Sequence, residues 1–109
     1  MTQLEMFQQI WQERTHECEL CKQNGIITHL PKFDVWSFAH ILGKGAWCGF
    51  KLYKPNIALL CRKCHTQYDD HATEDNPFFN WIHDKAQQLK QLYNSLSKYE
   101  RQDLIENQS

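Results

Sequence analysis

The central segment of this 109-residue chain reads Asn56-Ile57-Ala58-Leu59-Leu60-Cys61-Arg62-Lys63-Cys64-His65. It contains a Cys-x2-Cys pair, and a second pair with the same spacing lies upstream at Cys18 and Cys21. Two such pairs can surround one zinc ion tetrahedrally, so the spacing predicts a structural zinc site made by four residues: Cys18, Cys21, Cys61 and Cys64. The fifth cysteine, Cys48, is expected to be a free thiol in a loop, with a role as a substitute zinc ligand as the alternative.

The composition predicts one small folded domain. Apolar residues make up 41% of the chain and aromatic residues 13%, which is enough for a modest core. A domain of this size gains much of its stability from a structural metal. The chain has no run of 18 apolar residues, and Met1-Thr2-Gln3-Leu4-Glu5 is not a basic segment followed by an apolar one, so neither a membrane span nor a secretory signal is expected. Disulfides are therefore a weaker interpretation of the cysteines than metal binding.

The charge is unevenly distributed along the chain, although the formal net charge is only −1. Residues 14–63 carry eight Lys or Arg and three Asp or Glu, a balance of +5. Residues 64–109 carry four basic and eight acidic residues, a balance of −4. A basic middle segment would attract a phosphate backbone, and ordinary solvated surface is an equally good explanation.

Hydrophobic periodicity places the main elements. In chain order, it predicts an amphipathic helix over 3–15, a strand over 34–42, a buried strand over 57–60, a helix over about 62–72 and a long helix over 77–97. The loop 43–55 separates the two strands, and residues 98–109 read as a polar tail whose end is frayed. On a strand over 34–42, Trp36, Phe38 and His40 would share one face.

His40 lies on the first predicted strand, Asn56 directly before the second, and His65 near the start of the following helix, and the two Cys-x2-Cys pairs would hold these elements together. This pattern resembles that of the HNH endonucleases. The resemblance covers about residues 16–72. It implies a small α+β fold with a ββα-metal core and a structural zinc site, flanked by an N-terminal helix and a long C-terminal helix. The whole chain, 1–109, is then one nuclease-like domain, in which the helices 3–15 and 77–97 brace the core.

The resemblance also implies roles for the two histidines. Water is a poor nucleophile at neutral pH, so a neutral imidazole must take its proton, and His40 is the candidate general base. His65 matches a metal ligand, and a divalent cation (Mg²⁺, Mn²⁺ or a transition metal) would stabilise charge on the phosphate. Asp69 lies four residues after His65 and is expected on the same side of the helix as the second ligand, with Asp70 and His71 as fallbacks.

Two further positions bear on this interpretation. Asn56 completes the catalytic set, either bracing the loop by hydrogen bonds or touching the metal, and it is also a good turn residue. The residue before His40 is Ala39, where many HNH enzymes carry a metal-binding side chain. Three alternatives follow from this difference: Asp69, Asp70 or His71 completes the coordination of the metal, the phosphate and water complete it, or the site is inactive.

The basic residues near these positions are candidates for phosphate contacts. They are Lys44, Lys51, Lys54, Arg62 and Lys63. Trp47, Phe50 and Tyr53 of the same loop could stack on unpaired bases, although packing over the core explains aromatic residues there at least as well.

The sequence therefore predicts a metal-dependent endonuclease that hydrolyses phosphodiester bonds of DNA with low sequence specificity. RNA is the alternative substrate, a partner protein could supply specificity, and the protein would act as a monomer or homodimer in the cytoplasm of a bacterial or phage-infected cell. The main alternative is a non-catalytic zinc-stabilised module that binds nucleic acid or serves as a protein adaptor. A redox dithiol protein fits poorly, because the cysteine pairs are not set in a βαβ pattern.

Overall fold

The computed structural model describes residues 1–70 and 73–108. Within them the regular elements are α1 (Gln3–Glu13), α2 (Glu19–Gln23), β1 (Phe38–His40), β2 (Ile57–Leu59), α3 (Arg62–Asp69), α4 (Asn80–Ser95) and α5 (Lys98–Glu106). Short 3₁₀ turns lie at Val35–Ser37, Cys48–Phe50, Lys54–Asn56 and Pro77–Phe79. The predicted small α+β fold is confirmed, and strand, strand and helix follow one another in the expected order.

The two strands pair antiparallel, and both faces of this small sheet are covered. Phe38 lies opposite Leu59, and Ala39 opposite Ala58. Because successive strand residues point to opposite faces, Phe38 and Leu59 enter one apolar cluster while Ala39 and Ala58 enter another. This double burial explains why residues 57–60 are apolar throughout.

Helix α1 covers the first face. Thr2 and Glu5 form a capping box at its start, and Met6, Phe7 and Ile10 are buried. The ring of Phe7 stacks on that of Phe38, with 4.4 Å between centroids. The helix thus covers the sheet face that carries Phe38 and Leu59, and Cys61, one of the four candidate zinc ligands, also packs against this cluster.

The second face carries the four candidate zinc ligands, α2 and α4. Helix α4 contributes Ile82, Ala86 and Leu89 to the cluster that contains Ala39 and Ala58. The proline expected at the start of this helix lies in a preceding 3₁₀ turn, where the side chain of Asn76 accepts a hydrogen bond from the amide of Phe78. The apolar stripe of the long helix is thus used inside the domain.

Side chains complete the outer edge of β2. Arg14 donates to the main-chain oxygen of Ile57 at 2.7 Å, and Glu19 accepts from the amide of Leu59 at 2.8 Å. These two side chains also form an ion pair at 3.2 Å. The pair supplies the hydrogen bonds that a third strand would otherwise make, so the two-stranded sheet has no unsatisfied groups at these positions.

Two elements differ from the sequence-based expectation. The strand expected over 34–42 is reduced to Phe38–His40, because the side chain of Asp34 accepts from the amide of Trp36 and starts a 3₁₀ turn. Residues 98–106 form a helix, which a capping box of Ser97 and Glu100 begins. Among the described residues, no helix has the length and apolar content that crossing a bilayer requires.

Candidate functional site

The four cysteines of the two Cys-x2-Cys pairs lie together. Cys18 and Cys61 are the N-cap residues of α2 and α3, and Cys21 and Cys64 lie in the first turns of those helices. The four sulfur atoms all lie within 4.8 Å of one another. Cys21 Sγ is 3.7 Å from Cys64 Sγ and 4.0 Å from Cys61 Sγ, close to the separation of about 3.8 Å that Zn–S bonds of about 2.3 Å give in a tetrahedron.

The four thiols influence one another's ionisation. A hydrogen bond from Cys64 lowers the pKa of Cys18 to about 5, so this thiol ionises readily. The hydrogen bond to Cys18 and burial together raise the pKa of Cys64, and burial raises that of Cys21. Ionisation of one thiol therefore disfavours ionisation of the next, and a bound divalent ion would offset the repulsion between the thiolates. This donor set of four sulfurs fits a structural zinc ion.

A separate cleft contains both candidate histidines. Its volume is about 470 Å³, and His40, His65, Asp69 and Lys44 are among the residues that line it. The cleft lies on the α1 side of β1, because Phe7 and Phe38 also contribute to its wall. The fold thus places side chains from β1, the loop after it and α3 around one opening.

The orientation of the His40 ring is set by a main-chain carbonyl. Its Nε2 lies 3.0 Å from the oxygen of Lys51. A carbonyl can only accept, so Nε2 carries the proton and the neutral ring has its lone pair on Nδ1. Burial lowers the pKa of His40, and the positive charge of Lys44 lowers it further against the opposing effect of the hydrogen bond. The ring is therefore favoured in the neutral form that a general base requires.

His65 and Asp69 form the second half of the cleft. Nδ1 of His65 donates to the main-chain oxygen of Trp36 at 2.5 Å, which leaves the lone pair on Nε2. That Nε2 lies 3.3 Å from Oδ2 of Asp69, one helical turn on. Two acceptors that face each other at this distance need a proton or a cation between them. About 3 Å separates neighbouring ligands of a cation bound at about 2.1 Å, and metal-binding histidines usually donate their other N–H as His65 does.

Asn56 is a brace in this structure. Its side chain is fully buried. Its Oδ1 accepts from the amide of Leu42 at 2.8 Å, and its Nδ2 donates to the main-chain oxygens of Leu42 and Phe50, each at 3.2 Å. Both amide atoms are engaged, so Asn56 ties the two ends of the loop together and leaves no group for a metal.

The other candidate ligands do not reach the cleft in the same way. Ala39 is buried in the cluster on the opposite face of the sheet, where a carboxylate would be desolvated. Asp70 is the exposed C-cap of α3, and His71 lies outside the described residues. Within the described part of the chain, the cysteines are the one set of three or more candidate ligands close enough to hold an ion, whereas His65 and Asp69 make a pair.

Four of the five predicted phosphate-contacting residues have exposed side chains: Lys44, Lys51, Arg62 and Lys63. Lys54 is different, because its ammonium forms an ion pair with Glu13 at 2.8 Å and its side chain is buried. Arg62 lies beside His65 and Asp69 in a smaller opening of about 220 Å³. Of the exposed cations, Lys44 lines the cleft and Arg62 the adjoining opening, whereas Lys54 stabilises the fold.

Two residues at the site were missed by sequence reasoning. The hydroxyl of Tyr68 donates to the main-chain oxygen of Ile41 at 2.6 Å and ties α3 to the end of β1. Burial raises the pKa of this phenol to about 12, so it remains a donor. Trp36 supplies the carbonyl that orients His65 and has an exposed indole. Position 36 was expected on a strand, and only the capping Asp34 could have indicated otherwise.

The chain was compared with protein-family models, with curated proteins and with solved structures, and none of the three comparisons finds a match. The fold and the site therefore define a small α+β domain with a four-cysteine candidate metal site.

Proposed function

We propose that this protein is a zinc-stabilised endonuclease that hydrolyses phosphodiester bonds of DNA with a divalent cation bound at His65 and Asp69. The observation that carries the proposal is the shared cleft, in which His40 and the pair of His65 and Asp69 face one opening. Exposed cations around that opening would attract the phosphate backbone.

Each side chain has a chemical role in this mechanism. Nδ1 of His40 accepts the proton of the attacking water, while the Lys51 carbonyl holds the ring in place. His65 and Asp69 hold the cation, which supplies charge stabilisation for the phosphate and the leaving oxygen when bound. Asn56 keeps the loop closed so that Lys51 and His40 stay aligned. The zinc site fixes the start of α3 and with it the position of His65.

A second function, nucleic-acid binding without hydrolysis, is supported by a specific observation. Ala39 provides no ligand, and only two candidate ligands converge at the cleft among the described residues. The zinc site and the exposed cations serve this function equally well. The adaptor alternative is weaker, because the apolar face of α4 is already buried within the domain.

A plasmid-nicking assay separates these functions. The zinc-loaded wild type is expected to cut DNA when Mg²⁺ or Mn²⁺ is added, and His40→Ala is expected to cut at least 100-fold more slowly, as loss of a general base does. His29→Ala is the matched control, since His29 is exposed and does not line the cleft. DNA binding by the wild type without any metal-dependent cutting would favour the binding function over the nuclease.

A further inference from the structure

Trp36 has the most exposed indole of the chain and lies at the candidate active site. Its side chain is 65% exposed, whereas Trp11, Trp47 and Trp81 are partly buried against the two apolar clusters. Trp36 lines the cleft that contains His40 and His65, and it also lines the smaller opening beside Arg62. Trp36 therefore borders both openings, and its side chain is exposed to solvent.

The backbone of Trp36 is tied to the proposed metal ligands. Its amide donates to Asp34 at 2.9 Å, and its carbonyl accepts from Nδ1 of His65. The first hydrogen bond caps the 3₁₀ turn, and the second holds the turn against α3. Whatever binds the indole is consequently positioned relative to His65 and Asp69.

The surroundings of the indole combine apolar surface with positive charge. Val35 and Phe38 continue the apolar wall of the larger cleft, and Lys44 lies in the same cleft. Arg62 lines the other opening together with Trp36. An aromatic face with cations on both sides is the arrangement by which proteins bind single-stranded nucleic acid, because bases stack on the ring and phosphates contact the cations. In a duplex, the faces of the bases are already stacked on one another.

The aromatic residues of the loop 43–55 do not provide this surface. Phe50 is fully buried, and its ring packs edge-on against Tyr93. Trp47 also packs edge-on against Tyr93, with 5.1 Å between ring centroids. Tyr53 is partly buried against the same cluster, with its ring centroid 4.7 Å from that of Phe50. Packing within the domain thus accounts for all three residues that the sequence offered as stacking candidates.

We propose that Trp36 is a stacking platform for an unpaired nucleobase, with Lys44 and Arg62 contacting phosphates, so that the protein binds single-stranded DNA in preference to duplex. This inference deepens the proposed function and rests on it for the identity of the ligand. It assigns the substrate class as unpaired DNA, such as a strand end, a flap or a gap.

The test is a binding measurement on the full zinc-loaded chain without added divalent cation, so that hydrolysis does not interfere. Fluorescence anisotropy compares a labelled twelve-nucleotide oligo(dT) with a labelled duplex of about the same length, in the same salt. Wild type is expected to prefer the single strand. Trp36→Ala is expected to weaken single-strand binding by roughly 5- to 100-fold, the range for removing a stacking aromatic, and duplex binding by less than about two-fold.

Two further variants complete the design. Trp36→Phe keeps an aromatic face and should retain most of the single-strand affinity. Tyr99→Ala is the control, because Tyr99 is 76% exposed on α5 and does not line the cleft. Zinc content and circular dichroism show that each variant is folded.

Three outcomes would overturn the inference: no preference of the wild type for the single strand, no loss with Trp36→Ala, or equal losses for both DNA forms. Nicking is measured in parallel. If plasmid is cut but Trp36→Ala does not change the affinity for single-stranded DNA, the stacking inference is wrong and the proposed nuclease function is retained. If nothing is cut and Trp36 still controls single-strand affinity, hydrolysis fails and the stacking platform stands.

Discussion

Nε2 of His40 lies 3.0 Å from the main-chain oxygen of Lys51, which is 11 residues further along the chain. This hydrogen bond fixes the tautomer, because a carbonyl cannot donate. The loop between the strands therefore determines which nitrogen of the neutral His40 ring is available for chemistry.

The first prediction concerns the protonation of His40. Burial lowers its pKa below the ordinary value of 6.5, and Lys44, His65 and Lys51 act in the same direction. On acidification the unfolded chain takes up this proton first, so the His40 contribution to folding free energy is lost as the pH falls below about 6.5 and stops changing below the folded pKa. An NMR titration without added divalent cation is expected to give a midpoint under 6.5.

Two variants that each remove one positive charge test the cause of this pKa shift. Lys44→Gln removes a positive charge that acts on His40 and should move the midpoint upward. Lys98→Gln should leave it unchanged, because Lys98 is on α5 and is not among the groups that shift His40. A midpoint above 6.5 in the wild type would show that the ring is not buried as described.

The second prediction concerns the four-cysteine site. Cys64→Ser is expected to lose zinc and to unfold the chain, because apparent binding free energies of structural zinc, about 10–16 kcal/mol, equal or exceed the stability of a domain this size. Cys48→Ser is the matched control, since Cys48 is exposed and outside the cluster. Metal analysis and circular dichroism measure both effects. A Cys64→Ser protein that remains folded without zinc would refute a structural role.

The sequence predicted the parts of the site that depend on local spacing. Cys18 and Cys21 needed only the turn of a short helix to come together, and the i, i+4 relation of His65 and Asp69 needed only α3. The order of two strands and a helix was predicted from apolar runs and from the glycine-containing loop that separates the strands. These features depend on a few neighbouring residues, so residue spacing and hydrophobic periodicity were sufficient to predict them.

Other features depend on single side-chain hydrogen bonds that periodicity and propensity do not reveal. Arg14, the C-cap of α1, donates to the main-chain oxygen of Ile57, 43 residues away, and no local pattern predicts that it lies at the edge of β2. Trp36 was placed on a strand because its neighbours are β-formers, but one hydrogen bond to Asp34 changes the backbone there. Individual side-chain hydrogen bonds of this kind, whether they span 43 residues or two, outweigh propensities of less than about 1 kcal/mol per residue.

The third prediction concerns the buried amide of Asn56. Asn56→Ala removes three hydrogen bonds and leaves the amide and oxygen of Leu42 and the oxygen of Phe50 without this partner, which should cost about 3 kcal/mol. Urea denaturation measures the loss. Asn94→Ala, at an exposed position on α4, should stay within about 0.5 kcal/mol of the wild type. Equal stability of the two variants would mean that the loop does not need its brace.

The last prediction concerns the C-terminal end. The side-chain amide of Gln108 donates to the main-chain oxygen of Leu52 and accepts from the amide of Lys54 at 2.9 Å, as a neighbouring strand would. This contact holds the loop next to Lys51, the hydrogen-bond partner of His40. Gln108→Ala is therefore expected to lower stability by about 1–2 kcal/mol and to speed amide exchange at Lys54.

Gln108→Glu sharpens the test of this contact. The carboxylate still accepts from Lys54 but meets the oxygen of Leu52 without a proton, so this variant should be weakened at neutral pH and recover on acidification, when the carboxyl group can donate again. Gln102→Ala is the control, since Gln102 is exposed on α5 and its side chain bonds Glu106 on the same helix. Hydrogen exchange at Lys54 that is the same in all three variants would show that α5 ends beside the loop without restraining it.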